Sequence, residues 1–192
     1  MTSSPSPSPA PTDAHRLAEL LDKQDIAEVL QRYCRGVDRR DDELIRSAYH
    51  PDVHEHHGAY RGHSADDFVA YANGRSDLFE RVAHYITNQH IELDGDVAYS
   101  ETYAIALHQA RDADGRVSHT VFGGRYVDRM ERRDGRWAIA DRVVLCDWSR
   151  VDDVTPWERE PLFATGAADR SDPSYDRGAP GPGERLRAAL TD

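Results

Sequence analysis

Four long strand patterns separated by tight-turn signals limit what this sequence can fold into. The first, residues 82–93, is rich in β-branched and aromatic residues, alternates imperfectly between apolar and polar side chains, and is followed by Asp94-Gly95-Asp96. Three more patterns follow at residues 96–111, 117–132 and 137–148, with the turns Asp112-Ala113-Asp114-Gly115 and Arg133-Asp134-Gly135 between them. Strands joined by such short turns pair antiparallel, so the second half of the chain predicts a four-stranded meander.

The first half of the chain has helical periodicity. Apolar residues recur at intervals of three and four over residues 14–38, which is typical of an amphipathic helix. A second, short helix is predicted over residues 43–49, with His50-Pro51-Asp52 ending it because proline lacks the N–H that a helix needs. Residues 53–60 predict a short strand, and Ser64-Ala65-Asp66-Asp67 is a capping sequence for a third helix.

Three helices followed by a meander indicate the α+β class rather than alternating α/β. Long strands that pack on helices usually curl around them, and Gly123-Gly124 is a candidate site for the bend or bulge. We therefore expect three N-terminal helices packed in a curled antiparallel sheet, which makes a cone with an apolar mouth. Small-molecule sites favour such places.

The domain organisation follows from composition. Residues 1–13 are rich in serine and proline and predict a disordered leader, residues 14–152 predict the α+β domain, and residues 153–192 predict a C-terminal tail. Part of this tail is expected to dock on the body or on a neighbouring subunit through apolar residues, namely Val154, Trp157, Leu162 and Phe163.

Charge and cysteine usage exclude several classes of function. The 192 residues include 35 acidic and 24 basic side chains, for a net charge of −11, so nucleic acid and anionic membranes are poor partners. No run approaches the roughly 18 apolar residues needed to span a bilayer, and the leader lacks the features of a secretory signal. We expect a cytoplasmic protein in which Cys34 and Cys146 are buried thiols.

Asp38 and His84 are the main candidates for chemistry. A neutral imidazole in a mostly buried strand needs a partner on each ring nitrogen, and Asp38 ends the first helix pattern. A carboxylate held against one nitrogen leaves the other to take a proton from a substrate. The alternative is that Asp38 is a solvated cap and His84 a core residue with its hydrogen bonds satisfied.

Tyr33 precedes Asp38 by five residues and is a candidate donor to a leaving oxygen. Five residues rotate a helix by roughly 140°, so the two side chains share a pocket only if the helix end bends or the pocket wraps around it. Otherwise Tyr33 belongs to the helix core.

The run His54-Glu55-His56-His57 could be part of a metal site. On a strand His54 and His56 face one way while Glu55 and His57 face the other, so a metal would need further ligands from elsewhere. We expect no metal, and we expect His57, beside Gly58, to line the substrate pocket.

Three further residues are candidates for substrate contact: Arg142, His119 and Tyr85. For Arg142 a cross-strand ion pair is the alternative. The sequence contains no Gly-x-Ser-x-Gly, P-loop or dinucleotide fingerprint, which argues against serine hydrolases, nucleotide hydrolases and nicotinamide enzymes. An Asp–His unit with no nucleophile is suited to proton transfer.

Three segments carry a family resemblance. They are the helix end Arg32-Tyr33-Cys34-Arg35-Gly36-Val37-Asp38-Arg39, the strand His84-Tyr85-Ile86-Thr87-Asn88, and the run from Tyr126 to Trp137. Over residues 18–152 the chain resembles the SnoaL-like branch of the nuclear-transport-factor-2 superfamily, and within it the group of bile-acid 7α-dehydratase, hexachlorocyclohexane dehydrochlorinase and scytalone dehydratase. The resemblance implies a cone-shaped α+β barrel, also called cystatin-like, and a homo-oligomer, with a trimer favoured and a dimer as the alternative.

The resemblance also implies roles for residues. In that group an Asp–His dyad is the base of an elimination, and Asp38 and His84 stand at the matching positions. The bile-acid enzyme has a tyrosine where Tyr33 stands, and Arg142 matches a late arginine of the dehydrochlorinase. The histidine run at residues 54–57 and the long tail depart from the pattern.

The expected function is therefore that of a cofactor-independent, dehydratase-type lyase. Its partner would be a small hydrophobic substrate of alicyclic, steroid-like or polyketide type. Two alternatives remain: an isomerase or polyketide cyclase that uses the same base, and a non-catalytic ligand-binding or assembly subunit.

Overall fold

The computed structural model describes residues 12–154 and 166–177. Three helices, α1 (Asp13–Asp38), α2 (Asp42–Ala48) and α3 (Ala65–Ser76), pack against one six-stranded sheet. Its strands are β1 (Tyr49–His57), β2 (Tyr60–Gly62), β3 (Arg81–Asp94), β4 (Val97–Arg111), β5 (Val117–Arg133) and β6 (Arg136–Val154). Within these described residues, no helix is long and apolar enough to cross a membrane. The predicted disordered leader lies outside them, except for Thr12 and Asp13.

The carboxyl end of α1 is fixed by close packing against α2. The helix begins at a cap, where the Thr12 side chain accepts the His15 N–H at 3.2 Å. Its buried face carries apolar and aromatic residues: Ile26, Val29, Leu30, Tyr33 and Cys34. Gly36 has no room for a side chain, because a Cβ there would lie 2.8 Å from Ile45. This contact sets the position of Asp38, two residues further on.

The boundary between α2 and β1 differs from the prediction. The helix ends at Ala48, and His50, Pro51 and Asp52 belong to the strand instead of separating two elements. Proline fits here because the pairing of β1 with β6 shifts register between Tyr49 and His54, where a missing N–H leaves no gap in the ladder. The prediction of a strand that starts at residue 53 was therefore wrong.

The strand order in the sheet is β2-β1-β6-β5-β4-β3. The antiparallel meander from β3 to β6 is confirmed, but β1 pairs parallel with β6, with Glu55 opposite Arg142. The parallel pair adds the short early strand to the predicted meander in an orientation that the sequence did not indicate. No short turn joins β1 to β6, so no local signal in the sequence reports this pairing.

Two of the register shifts in the sheet bear on the shape of the site. Between β5 and β6 the register shifts at Gly123/Gly124, where a Cβ on Gly124 would lie 1.9 Å from the Leu145 carbonyl oxygen. Between β3 and β4 it shifts between Ile86 and Gln89. The predicted bend at the double glycine is thus confirmed, and the curled, unclosed sheet wraps around the helices as an α+β cone.

The second bulge changes which residues of β3 face inward. Ile91 and Leu93 pack on the core, and so does Ile86, although an odd number of positions separates it from them. Regular alternation would put these residues on opposite faces. The bulge adds the missing step, and it turns His84 inward together with Ile86.

A C-terminal segment, residues 166–177, packs on the end of α1. The Tyr175 hydroxyl donates to Asp41 at 2.8 Å, and Arg39 Nε lies 3.4 Å from the Asp172 carboxylate. The Arg35 guanidinium lies 4.5 Å from the centre of the Tyr175 ring. The predicted docking residues Trp157, Leu162 and Phe163 lie outside the described residues, so the extent of the tail remains a prediction.

Candidate active site

Asp38 and His84 are in direct contact where α1 meets β3. His84 Nδ1–H donates to Asp38 Oδ1 at 2.7 Å, and the His84 backbone N–H donates to Asp38 Oδ2 at 3.1 Å. A carboxylate only accepts hydrogen bonds, so this contact places the ring proton on Nδ1 and leaves Nε2 as an acceptor. The side chains are 6% and 14% exposed, respectively, so the pair is largely shielded from water.

Two adjoining cavities meet at His84. The smaller, about 70 Å³, is lined by apolar and aromatic residues of α1, α3, β3 and the loop between α3 and β3, including Val37, Phe68, Phe79 and Val82. The larger, about 290 Å³, lies along β4 to β6, where Ala104, Ala106 and Gly124 leave room because their side chains are small. Residues from several elements line both cavities: His57, Tyr71, Arg75, His84 and His108.

Tyr33 lies beside the dyad in the smaller cavity. The centres of the Tyr33 and His84 rings are 6.3 Å apart, at a steep angle. The two residues on α1 reach one cavity because that cavity wraps around the end of the helix. Burial raises the pKa of the Tyr33 phenol far above its usual range, an effect that the nearby Arg142 only partly offsets. Tyr33 is therefore a neutral donor.

Arg142 lies under the site and lines neither cavity. Its Nε and Nη2 donate to the two oxygens of Asp128 at 2.6 and 2.7 Å, and both side chains are fully buried. The guanidinium stacks 4.3 Å from the centre of the Tyr33 ring and 4.4 Å from that of Tyr126. The sequence left open whether Arg142 contacts substrate or forms a cross-strand ion pair, and the structure shows the ion pair.

The structure does not bring Tyr85 or His119 to the cavities. Tyr85 follows the inward-facing His84, so strand alternation puts it on the outer face of the sheet, where it is 58% exposed. His119 Nε2 pairs with the Gln109 side chain at 3.2 Å, next to the inward-facing His108. Neither residue is among those that line a cavity.

The histidine run divides as strand alternation predicts. His54 is 67% exposed, whereas His57 lines both cavities and donates from Nδ1 to Glu55 Oε1 at 3.2 Å. The Glu55 side chain is fully buried. Among residues 12–154 and 166–177, no three His, Cys, Asp or Glu side chains converge as a metal site.

His108 and Arg75 line both cavities and were not among the site residues predicted from the sequence. The rings of His108 and His84 have centres 6.1 Å apart. Burial lowers the pKa of His108 to about 4, with smaller contributions from the neighbouring His84, Arg75 and His57 side chains, so this imidazole is neutral at pH 7. Strand alternation predicts that every second residue of β4 beside His84 faces inward. Which residues these are depends on the pairing register of β3 with β4, which the sequence does not report.

Comparison with known proteins agrees with this fold. Residues 18–143 match the family model of the SnoaL-like domain. Comparison with curated proteins gave no match.

Among solved structures, a type 2 hexachlorocyclohexane dehydrochlorinase, LinA, has a TM-score of 0.65 at 18% identity, over 78% of this chain and 99% of that one. A candidate scytalone dehydratase from Novosphingobium aromaticivorans scores 0.63 at 17% identity, over 76% and 99%. A protein with a cystatin-like fold from Nostoc punctiforme scores 0.56 at 20%, over 66% and 92%. At such low identities these structures report the fold alone. The family model covers more than half of the sequence, and the chain therefore belongs to the SnoaL-like domain family of the nuclear-transport-factor-2-like superfamily.

Proposed function

We propose that this protein is a cofactor-independent lyase that removes water, or another small leaving group, from a hydrophobic alicyclic, steroid-like or polyketide substrate. The observation that carries the proposal is the Asp38–His84 contact beside two cavities. One ring nitrogen is held by a carboxylate, which leaves the other as a base in a shielded, mostly apolar environment. A surface ion pair would not need such a setting.

In the proposed reaction His84 Nε2 takes a proton from the carbon next to a carbonyl. Asp38 stabilises the resulting imidazolium, because its hydrogen bond to Nδ1 becomes one between two charged groups. Tyr33, as a neutral phenol, donates to the oxygen on which negative charge develops. General base catalysis of this kind contributes roughly 10²–10⁴-fold, and positioning and the exclusion of water contribute the rest.

The relatives support elimination without establishing it. Two of the similar structures bear names that describe eliminations, a dehydrochlorinase and a candidate scytalone dehydratase. An isomerase or a cyclase would begin with the same proton abstraction, so the two classes separate only at the following step. The experiment must therefore measure proton abstraction and loss of the leaving group independently.

We also propose that the protein is a homo-oligomer, with a trimer favoured and a dimer as the alternative. The support is a set of large apolar side chains on β3 to β6 that are at least one-third exposed: Tyr85, Tyr99, Tyr103, Ile105, Leu145 and Trp148. Tyr85 would then serve assembly instead of substrate contact.

Proton abstraction can be tested with ketones that lack a leaving group. Purified protein is incubated in deuterium oxide with a panel of bicyclic to tetracyclic alicyclic ketones, decalone among them, and deuterium incorporation next to the carbonyl is followed by mass spectrometry. We expect exchange by the natural protein, and a loss of roughly 10²–10⁴-fold in both His84→Gln and Asp38→Asn. His90→Gln is the matched control, since His90 lies on the same strand with its side chain 75% exposed.

The proposal fails if no ketone of the panel exchanges, or if His84→Gln exchanges as fast as His90→Gln. Exchange followed by migration of a double bond, with no loss of a leaving group from hydroxylated ketones, would indicate an isomerase.

A further inference from the structure

The site contains a second carboxylate–histidine pair, Glu55 and His57, which has no part in the proton abstraction by His84. Glu55 and His57 are two residues apart on β1, so both face into the cone. The Glu55 carboxylate is fully buried, and His57 Nδ1 reaches it at 3.2 Å while the ring lines both cavities. The His57 ring stacks on Phe68, with ring centres 5.9 Å apart, which fixes its plane.

The charges around this pair are unbalanced. Glu55, Arg142 and Asp128 lie opposite one another on β1, β6 and β5, in one row across the inner face of the sheet. The Asp128 carboxylate accepts the hydrogen bonds from Arg142 Nε and Nη2. Arg142 Nη1 and Glu55 Oε2 have no hydrogen-bond partner among the described residues. Two buried carboxylates therefore face one buried cation. The imidazole that contacts the Glu55 carboxylate is that of His57, which lines both cavities.

The Asp38–His84 pair is built differently. Both Asp38 oxygens accept hydrogen bonds from His84, one from Nδ1 and one from the backbone N–H. Glu55 accepts its hydrogen bond from His57 at Oε1, and its Oε2 has no partner among the described residues. The two pairs are therefore not equivalent.

The two pairs approach the cavities from different walls. In the strand order β1 is separated from β3 by β6, β5 and β4, and the curl of the sheet brings both strands to one space. A ligand there would have His84 on one side and His57 on another, as an elimination that needs both a base and an acid requires.

We propose that His57, oriented by Glu55, is the general acid that protonates the leaving oxygen. This rests on the proposed function, because it supplies the second half of the same elimination. The C–H bond breaks and its proton goes to His84 Nε2, while the electron pair forms the C=C bond. The C–O bond breaks with both electrons on oxygen, which takes a proton from His57 Nε2 and departs as water. Exchange with solvent then returns one proton to His57 and removes one from His84.

The assignment separates the residues by what they contact. His57 is a catalytic residue, Glu55 is a positioning residue that acts through His57, and Tyr33 is left to stabilise the enolate oxygen. A departing hydroxide needs a proton, whereas a departing chloride does not. His57 should therefore matter for one leaving group and not for the other.

The experiment compares decalone bearing a hydroxyl β to the carbonyl with the β-chloro analogue, after subtraction of the uncatalysed rate. For His57→Gln we expect kcat with the hydroxy ketone to fall roughly 10²–10⁴-fold, and chloride elimination to change by less than about threefold. Glu55→Gln should show the same split between substrates with an unchanged KM. His54→Gln, the same substitution on the opposite face of β1, is the matched control, and thermal melts establish that each variant is folded.

Every result of this experiment either supports the role of His57 or contradicts it. An equal loss on both substrates, or on neither, overturns the role of His57 and leaves the role of His84 standing. The same holds if the natural protein exchanges the α-hydrogen of decalone and expels chloride but never hydroxide. Absence of α-hydrogen exchange in the natural protein, across the ketone panel, overturns the proposed function and this inference together.

Discussion

Replacing Arg142 by methionine removes a buried cation and nothing that touches the cavities. The change leaves the Asp128 and Glu55 carboxylates, both fully buried, without the guanidinium that lies between them. Breaking a buried ion pair from one side destabilises a protein by about 3–5 kcal/mol, because the remaining charge has no compensation. For a domain of this size that corresponds to a fall in Tm of roughly 6–20 °C.

The control is Arg125→Met. Arg125 sits on β5, the same strand as Asp128, and pairs with Glu101 and Asp147 at 3.0 Å, but at a surface where water replaces the lost contacts. Urea unfolding and thermal melts at pH 7 should show a large loss for Arg142→Met and a small one for Arg125→Met. The double variant Arg142→Met/Asp128→Leu should recover part of the lost stability, because it removes one of the two buried carboxylates that Arg142→Met leaves without the guanidinium. Equal losses in the two single variants, or no recovery in the double variant, would refute the buried-charge argument.

Two further predictions concern the neutral histidine and the assembly. Because burial lowers the pKa of His108 to about 4 from an ordinary value of 6.5, the unfolded chain binds a proton between these pH values that the folded chain does not. Stability should therefore fall as the pH drops through that window, and less so in His108→Phe; parallel curves for the two proteins in urea unfolding at pH 7 and pH 5 would contradict this. Light scattering of the purified chain should give the mass of a homotrimer, or of a dimer as the alternative, whereas a monomer would contradict assembly through the outer face of the sheet.

The elements with local signals were predictable from the sequence. The turns of the meander carry Gly95, Gly115 and Gly135, and all three adopt a positive φ that favours glycine. The apolar face of α1 follows from its spacing of three and four. Asp38 and His84 could be paired because the chemistry of a buried imidazole demanded an acid, and the family resemblance indicated the same two positions.

The contacts set by non-local pairing could not be predicted. No short turn joins β1 to β6, so the sequence carries no local signal of their parallel pairing. The row of Glu55, Arg142 and Asp128 across the sheet could therefore not be predicted. The choice between substrate contact and an ion pair for Arg142 therefore stayed open until the structure showed its pairing with Asp128 beneath the cavities. His108 was missed for the same reason, since its inward position depends on a register that only the folded sheet defines.

Apolar and polar residues alternate irregularly in β3 because the strand contains a bulge. The orientation of His84 therefore depends on the number of residues in the strand as well as on their identity. Deleting one residue between Ile86 and Gln89 would remove no cavity residue, yet regular alternation would return and the His84 imidazole would turn to the outer face. A substitution at the same place keeps the count and with it the orientation of the base. In a relative, the number of residues between this histidine and the following turn should therefore indicate whether the imidazole faces the cavities, which the presence of the histidine alone does not.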